Sequence, residues 1–307
     1  MYHTLGSRLA AGSIKPGDTL FAATLLSDAR YANVTGGQNV IVTKQPGGEV
    51  VVTSGLASRT TVVAADVPFA GGLLHVVDSV MTTPAGLDRT ARDAYTDLAA
   101  FVGALYATGL VDEFAAQRDV TLFVPRAAAF QLLAGTLAAL DKPALSRILR
   151  YHLVPGRVVQ NAQLANGTVL KTAAGPDVRI TRFNNNIYVG AAQVVQTDIL
   201  VANGVVQMID NVLDPGHAAA APDTALQTQA PLFTPVAGQS ATGTDAPTPF
   251  TSALPCTADC RVSATATGLK SSSSSGAGAA ARCTGLAQAV GAGAGVVGGL
   301  WGLGYVM

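Results

Sequence analysis

No cysteine occurs before Cys256, and only Cys260 and Cys283 follow it. Whatever folds ahead of that point does so without disulfides or thiolate metal ligands. The Cys-x3-Cys spacing fits neither a redox pair nor a zinc knuckle, and no other Cys or His lies at ligand spacing, so no metal is expected. A local Cys256–Cys260 disulfide is the reading of that pair, with free or intermolecular thiols as the alternative. Charge is equally scarce, at 12% of residues against roughly a quarter in ordinary soluble domains. Nineteen basic residues balance 19 acidic ones. A nucleic-acid partner would call for a basic stripe, so that class is excluded.

Catalytic signatures are missing too. No Ser stands in GxSxG, no HExxH is present, and the four histidines His3, His75, His152 and His217 are scattered. "GAGVVG" (293–298) fits GxGxxG, but only nine residues follow it. That leaves no room for the βαβ unit such a loop must open.

What is present is a phrase written twice. "GGLLHVVDSVMTTP" (71–84) returns as "NGVVQMIDNVLDP" (203–215), and a chain of 307 residues has room for the repeat this implies.

Residues 90–215 read as one complete α+β unit, helices first and strands after. Leu98, Phe101, Val102 and Leu105 recur at helical spacing, with Thr96 or Asp97 as N-cap. "VTLFVP" (120–125) reads as a short buried strand stopped by Pro125. Ala127 to Phe130 begin the next helix, with Phe123 and Phe130 as core anchors. Asp141 caps "KPALSRILRYH", which Pro155-Gly156 ends. "GTVLKT", "DVRIT", "NIYVG", "QVVQTDIL" and "GVVQMID" then follow as short β-branched strands between Gly, Asn and Pro.

Residues 1–84 repeat only the second half of this pattern. Tyr2-His3 matches Tyr151-His152, "QNVIVT" matches "PDVRIT", and "LLHVVDSV" matches "VVQMIDNV". The first copy is longer between these landmarks by 17 residues, placed around "GSIKPGDTLFAATLLSD" (12–28). Residues 90–215 are expected to fold alone, and 1–84 to be marginal without their helical cover.

From Gly216 to Ser275 the composition is that of an extended, disordered Ser/Thr/Pro/Ala stalk open to O-glycosylation. Ser275-Gly276-Ala277 supplies small residues for a GPI attachment site at Ser275, and "AAARCTG" is a spacer. Leu286 to Met307 completes an anchor signal over 276–307. A retained transmembrane span and a buried segment are the alternatives; the seven glycines of the run and the lack of a flanking Lys or Arg disfavour the span. Asn33-Val-Thr35 and Asn166-Gly-Thr168 are N-glycosylation sequons.

These landmarks resemble the fasciclin, or FAS1, family. "TLFVPRAAAF" (121–130) is similar to its first signature, "YHLVPG" (151–156) to its Tyr-His box, and "NGVVQMIDNVLDP" to its closing signature. "GGLLHVVDSVMTTP" repeats the last of these for a partial copy, with His75 where the second copy has Gln207. The resemblance implies a FAS1 fold, a wedge of short strands covered by N-terminal helices. It implies adhesion, or matrix or cell-wall organisation, through protein or glycan contacts that include homotypic ones. Catalysis, cofactor and metal are not implied. Tyr151 and His152 are the binding candidates, although His152, between Tyr151 and an apolar run, reads as a buried, hydrogen-bonded histidine. Asp78 and Asp210 read as carboxylates accepting backbone N–H bonds.

Two other classes stay open. A carrier of a hydrophobic small molecule would need an apolar pocket between sheet and helices. A secreted hydrolase would need paired carboxylates in a cleft. The Tyr-His box directly after Met1, with no apolar signal run before it, leads to the expectation that the natural message extends upstream by very roughly 80–120 residues. That part would encode a signal peptide and a counterpart of Thr121 to Phe130.

Overall fold

The computed structural model describes residues 1–226, 228–233 and 248–255. The expectations on Cys256, Cys260, Ser275 and the 276–307 tail lie outside them. A first unit contains β1 (Thr19–Ala23), β2 (Asn39–Lys44), β3 (Val50–Thr53), β4 (Arg59–Phe69) and β5 (Gly72–Val77). These form one antiparallel sheet in chain order.

The second unit opens with α1 (Leu87–Asp93), α2 (Ala99–Thr108) and α3 (Val111–Ala116). It continues through β6 (Val120–Pro125), α4 (Ala127–Leu132), α5 (Ala134–Ala138) and α6 (Lys142–Tyr151). The strands β7 (Leu153–Val154), β8 (Val169–Lys171), β9 (Asp177–Phe183), β10 (Asn186–Val189), β11 (Ala192–Val201) and β12 (Gly204–Ile209) complete it. Its sheet runs β7-β6-β12-β11-β10-β9-β8, with β6 and β12 parallel.

β6 is buried along its whole length, as a strand paired on both edges and covered on both faces must be. Val120, Leu122 and Val124 join the helical core, while Phe123 joins the core on the other side of the sheet. In the helical core Phe101 stacks edge-on against Phe114 and Phe130, with ring centroids 6.1 and 6.4 Å apart. Asp141 caps α6 by accepting from Ala144 N at 2.8 Å. Neither Thr96 nor Asp97 caps α2: both lie in a 3-10 turn that runs into it, and Leu98 takes the cap position without a side-chain bond. Gly109, at φ 73°, ends that helix in the left-handed conformation that favours glycine.

The boundary at Gly216 needs correction, because chain beyond it docks on the second unit. Asn211 Nδ2 donates to the carbonyls of Gln229 and Ala230 at 2.9 and 3.1 Å. Phe233, Phe250 and Leu254 pack on the helical core. Composition hid this because a few well-seated apolar residues hold the segment, not a continuous run. Gly103 is the seat: a Cβ there would stand 2.3 Å from the Phe250 carbonyl oxygen. Gly103→Ala is expected to free residues 248–255 while helix propensity gains up to about 1 kcal/mol. Faster proteolysis near Phe250 at an undiminished melting temperature is the expected reading; unchanged cleavage contradicts it.

The two sheets share their register. Val62, Ala64, Val67, Pro68 and Phe69 of β4 face Val77, Val76, Leu74, Leu73 and Gly72 of β5. Val194, Gln196, Ile199, Leu200 and Val201 of β11 face Ile209, Met208, Val206, Val205 and Gly204 of β12, with the two register shifts at the same places. Asp66 and Asp198, inside the second shift of each pair, both adopt positive φ, 59° and 62°.

The extra length of the first unit lies only partly in 12–28, at the end of that stretch. β1 pairs with β2 as β8 pairs with β9, so it belongs to the shared pattern. Most of the surplus falls in residues 24–38, where the second unit has only 172–176, with smaller shares in the β2–β3 turn at 45–49 and in 54–58 between β3 and β4. Residues 24–38 and 54–58 face the second unit, and 24–38 carries most of the seam. Asn33 N donates to Ala202 O at 2.7 Å, and Gln38 Nε2 to the carbonyls of Val201 and Ala202 at 3.2 Å.

Candidate functional site

The Tyr-His box is an internal clasp. His152 follows the last turn of α6 and is fully buried. Its Nδ1–H donates to Ile148 O at 2.8 Å, its Nε2 accepts from Leu213 N at 3.0 Å, and the ring lies 5.7 Å from that of Phe101. Those bonds fix a neutral tautomer, and burial pulls the pKa down to about 4. The Tyr151 hydroxyl donates to Asp177 O at 3.1 Å, and burial pushes it up to about 12. Both binding candidates therefore face inward, Tyr151 tying the end of α6 to β9 and His152 tying it to the chain after β12, which removes them from contact with a macromolecule.

The first unit repeats the clasp without its cover. Tyr2 OH donates to Asn39 O at 3.1 Å, and His3 Nε2 accepts from Met81 N at 3.1 Å. His3 is exposed, and among the described residues no counterpart of Ile148 or Phe101 stands over it.

The closing signatures also share their main hydrogen bonds. Asp78 Oδ1 accepts from Thr61 N at 2.9 Å, and Asp210 Oδ1 from Gln193 N at 2.7 Å. His75 takes the N–H of Asp66 at 3.3 Å and reaches Leu9 O at 3.0 Å. Gln207 takes the N–H of Asp198 and donates to Val159 O, both at 3.0 Å. The His-to-Gln exchange thus preserves one donor and one acceptor, the only imidazole functions used here. Asp66 is held below the usual carboxylate range, first by the Ala11 N–H, whereas burial raises Asp198. One motif titrates in opposite directions because only the second unit is covered.

The sequons differ in kind. Asn33 is half-buried in the seam, its Nδ2 donating to Ala116 O at 3.3 Å and Gln117 O at 3.2 Å. Thr35 bonds Asp119 through both its N–H and its hydroxyl. Asn166 lies exposed beside a turn at Gly167, φ 82°; its Oδ1 accepts from Arg182 N at 3.0 Å, and its Nδ2 has no partner among the described residues.

A cleft of about 300 Å³ opens at the seam between Tyr31, Leu87, Val102, Leu105, Phe114 and Leu122, with Asp88 the one carboxylate on its wall. That volume is at the lower limit for a ligand pocket. Among the described residues no group of three His, Cys, Asp or Glu could hold a metal, and no helix is long and apolar enough to cross a membrane.

With this geometry in place, comparison with known proteins gives the class. Residues 96–215 match the family model of the fasciclin domain. The chain belongs to the fasciclin-domain family. It is similar to a fasciclin-like arabinogalactan protein of Arthroderma benhamiae, 33% identical over 202 residues, which is 66% of this chain and 47% of that one. A second fasciclin-like arabinogalactan protein, from Cercospora beticola, is 33% identical over 196 residues, 62% of this chain and 52% of the other. The chain therefore spans about half the length of these relatives. A smaller Synechocystis protein is 35% identical over 115 residues, 36% of this chain and 85% of its own.

Proposed function

We propose that the chain is a fasciclin-like surface glycoprotein acting in adhesion, or in matrix or cell-wall organisation, by protein or glycan contacts and without catalysis. One observation carries this reading: the signature side chains Tyr151, His152, Gln207 and Asp210 are all consumed by internal hydrogen bonds, so recognition falls to the outer surface. The arabinogalactan-protein names of two relatives fit a chain that is itself glycosylated. Residues 1–84 are read as a partial fasciclin unit held against the complete one. Two such units in one chain add contacts that are individually weak.

Asn166 is the residue assigned to the N-glycan, because the sugar is attached at a side-chain nitrogen that is free there and occupied at Asn33. Anchoring is assigned to a GPI group at Ser275. Expression through a secretory pathway tests both. Glycosidase digestion should remove one N-glycan, Asn166→Gln should abolish it, and a phosphatidylinositol-specific phospholipase should release the protein from cells. A glycan on Asn33 in a protein whose seam is intact would overturn the first assignment. A Trp301 peptide in the membrane-bound form would overturn the second.

A further inference from the structure

One face of the β4–β5 pair is apolar and open. Val67, Phe69, Leu74, Val76 and Val80 are 43, 60, 56, 45 and 78% exposed. Their register-matched counterparts Ile199, Val201, Val206, Met208 and Val212 are 2, 0, 0, 4 and 1% exposed, packed with Phe101, Leu122 and Phe130. Not every matched pair differs: Val63 and its counterpart Val195 are exposed in both units, at 62 and 44%.

The edge beside the face is open as well. β12 pairs in parallel with β6, Gly204–Ile209 against Val120–Pro125, while β5 carries no strand on its outer side among the described residues. A free edge next to a contiguous apolar face is a feature that proteins ordinarily cover. Glycine is kept at the point of closest approach. A Cβ at Gly204 would stand 1.9 Å from the Val120 carbonyl oxygen, and the matching Gly72 has only the ring of Phe69 nearby, at 3.7 Å.

We propose that this face seats a polypeptide segment with the chemistry of residues 96–151. Its apolar strand adds in parallel to β5, and its helices cover Leu74, Val76 and Phe69 with counterparts of Phe101 and Phe130. The occupant follows from the second unit, where β6 and the helices lie on the same five positions in the same register. A second copy of this chain is a poorer fit, because its own β6 is already paired on both edges, with β7 and β12. The proposal rests on reading residues 1–84 as a partial fasciclin unit.

The test combines sedimentation with amide hydrogen exchange on the full chain, and on a chain in which residues 90–150 are repeated directly ahead of Tyr2. There they meet the Tyr-His box as they do at Tyr151. The unmodified chain should be a monomer with fast exchange across Gly72–Val77. In the extended chain that exchange should slow at least about tenfold. Leu74→Asp with Val76→Asp, both on the exposed face, should restore fast exchange at β5 without altering β12. A dimer of the unmodified chain that protects β5 would overturn the proposal in favour of a second copy. Unchanged β5 exchange in the extended chain would overturn it outright. Neither result touches the partner binding proposed above, which is scored separately by capture of glycans and matrix proteins.

Discussion

Gly204→Ala is expected to destabilise the protein by more than about 4 kcal/mol, and Gly72→Ala at the matching position by only about 1–2 kcal/mol. Both glycines hold nearly the same backbone, φ 158° and 156°, so the conformational penalty of a Cβ is shared. The surroundings are not shared. At Gly204 the new atom would lie 1.9 Å from Val120 O and 2.8 Å from Val120 C and N, which forces apart the parallel β6–β12 pair that joins the two cores. At Gly72 it meets nothing closer than the Phe69 ring at 3.7 Å. Urea unfolding of the two variants checks this. Equal losses would mean that the edge of β5 is as occupied as that of β12.

The second large effect belongs to His152. Replacing it with Ala leaves the Ile148 carbonyl and the Leu213 N–H unpaired in a dry core and removes a ring packed on Phe101. A loss of about 3–4 kcal/mol is expected, against less than about 1 kcal/mol for the exposed His3. The pH dependence has a definite sign. Folding lowers the His152 pKa from 6.5 to about 4, so between those values the unfolded chain holds more protons. The contribution of His152 is thus complete above pH 6.5 and is lost as pH falls toward 4. Burial raises Asp198 and Asp210, which work in the opposite sense by binding protons more readily in the folded state. The difference between wild-type and His152→Ala stability curves isolates the histidine. That difference should shrink as pH falls through the window, and a constant difference would assign His152 a packing role alone.

Much of this was legible in the residues. β6 announced itself as an apolar run ending in Pro, α6 by Asp141 and Pro143, and β8 to β12 by β-branched runs between turn residues, because each is specified by neighbours in sequence. The inward roles of Phe123, Phe130, His152 and Asp210 followed from the same local context. The seam was not legible. Asn33, Gln38 and Asp119 bond to groups far away in the chain, and a sequon motif at Asn33 reads identically whether its amide faces solvent or a neighbouring unit. The phrase written twice was visible, but the surplus length of the first unit was only partly placed, since only strand pairing reveals that β1 corresponds to β8. The docked 248–255 segment was missed for a related reason: its seat is the bare backbone of Gly103, which no composition count registers.

The claim that binds these observations is that recognition belongs to the outer surface and that the signature residues only build the scaffold. A binding screen of the full chain against immobilised wall and matrix glycans and matrix proteins tests it most directly, with Tyr151→Phe alongside. That variant loses the bond to Asp177 while the ring stays in place. Saturable binding to a glycan or protein, equal in wild type and variant and without turnover, is the predicted result. Binding that disappears with the Tyr151 hydroxyl from a protein of unchanged melting temperature, or chemical conversion of the captured ligand, would contradict it.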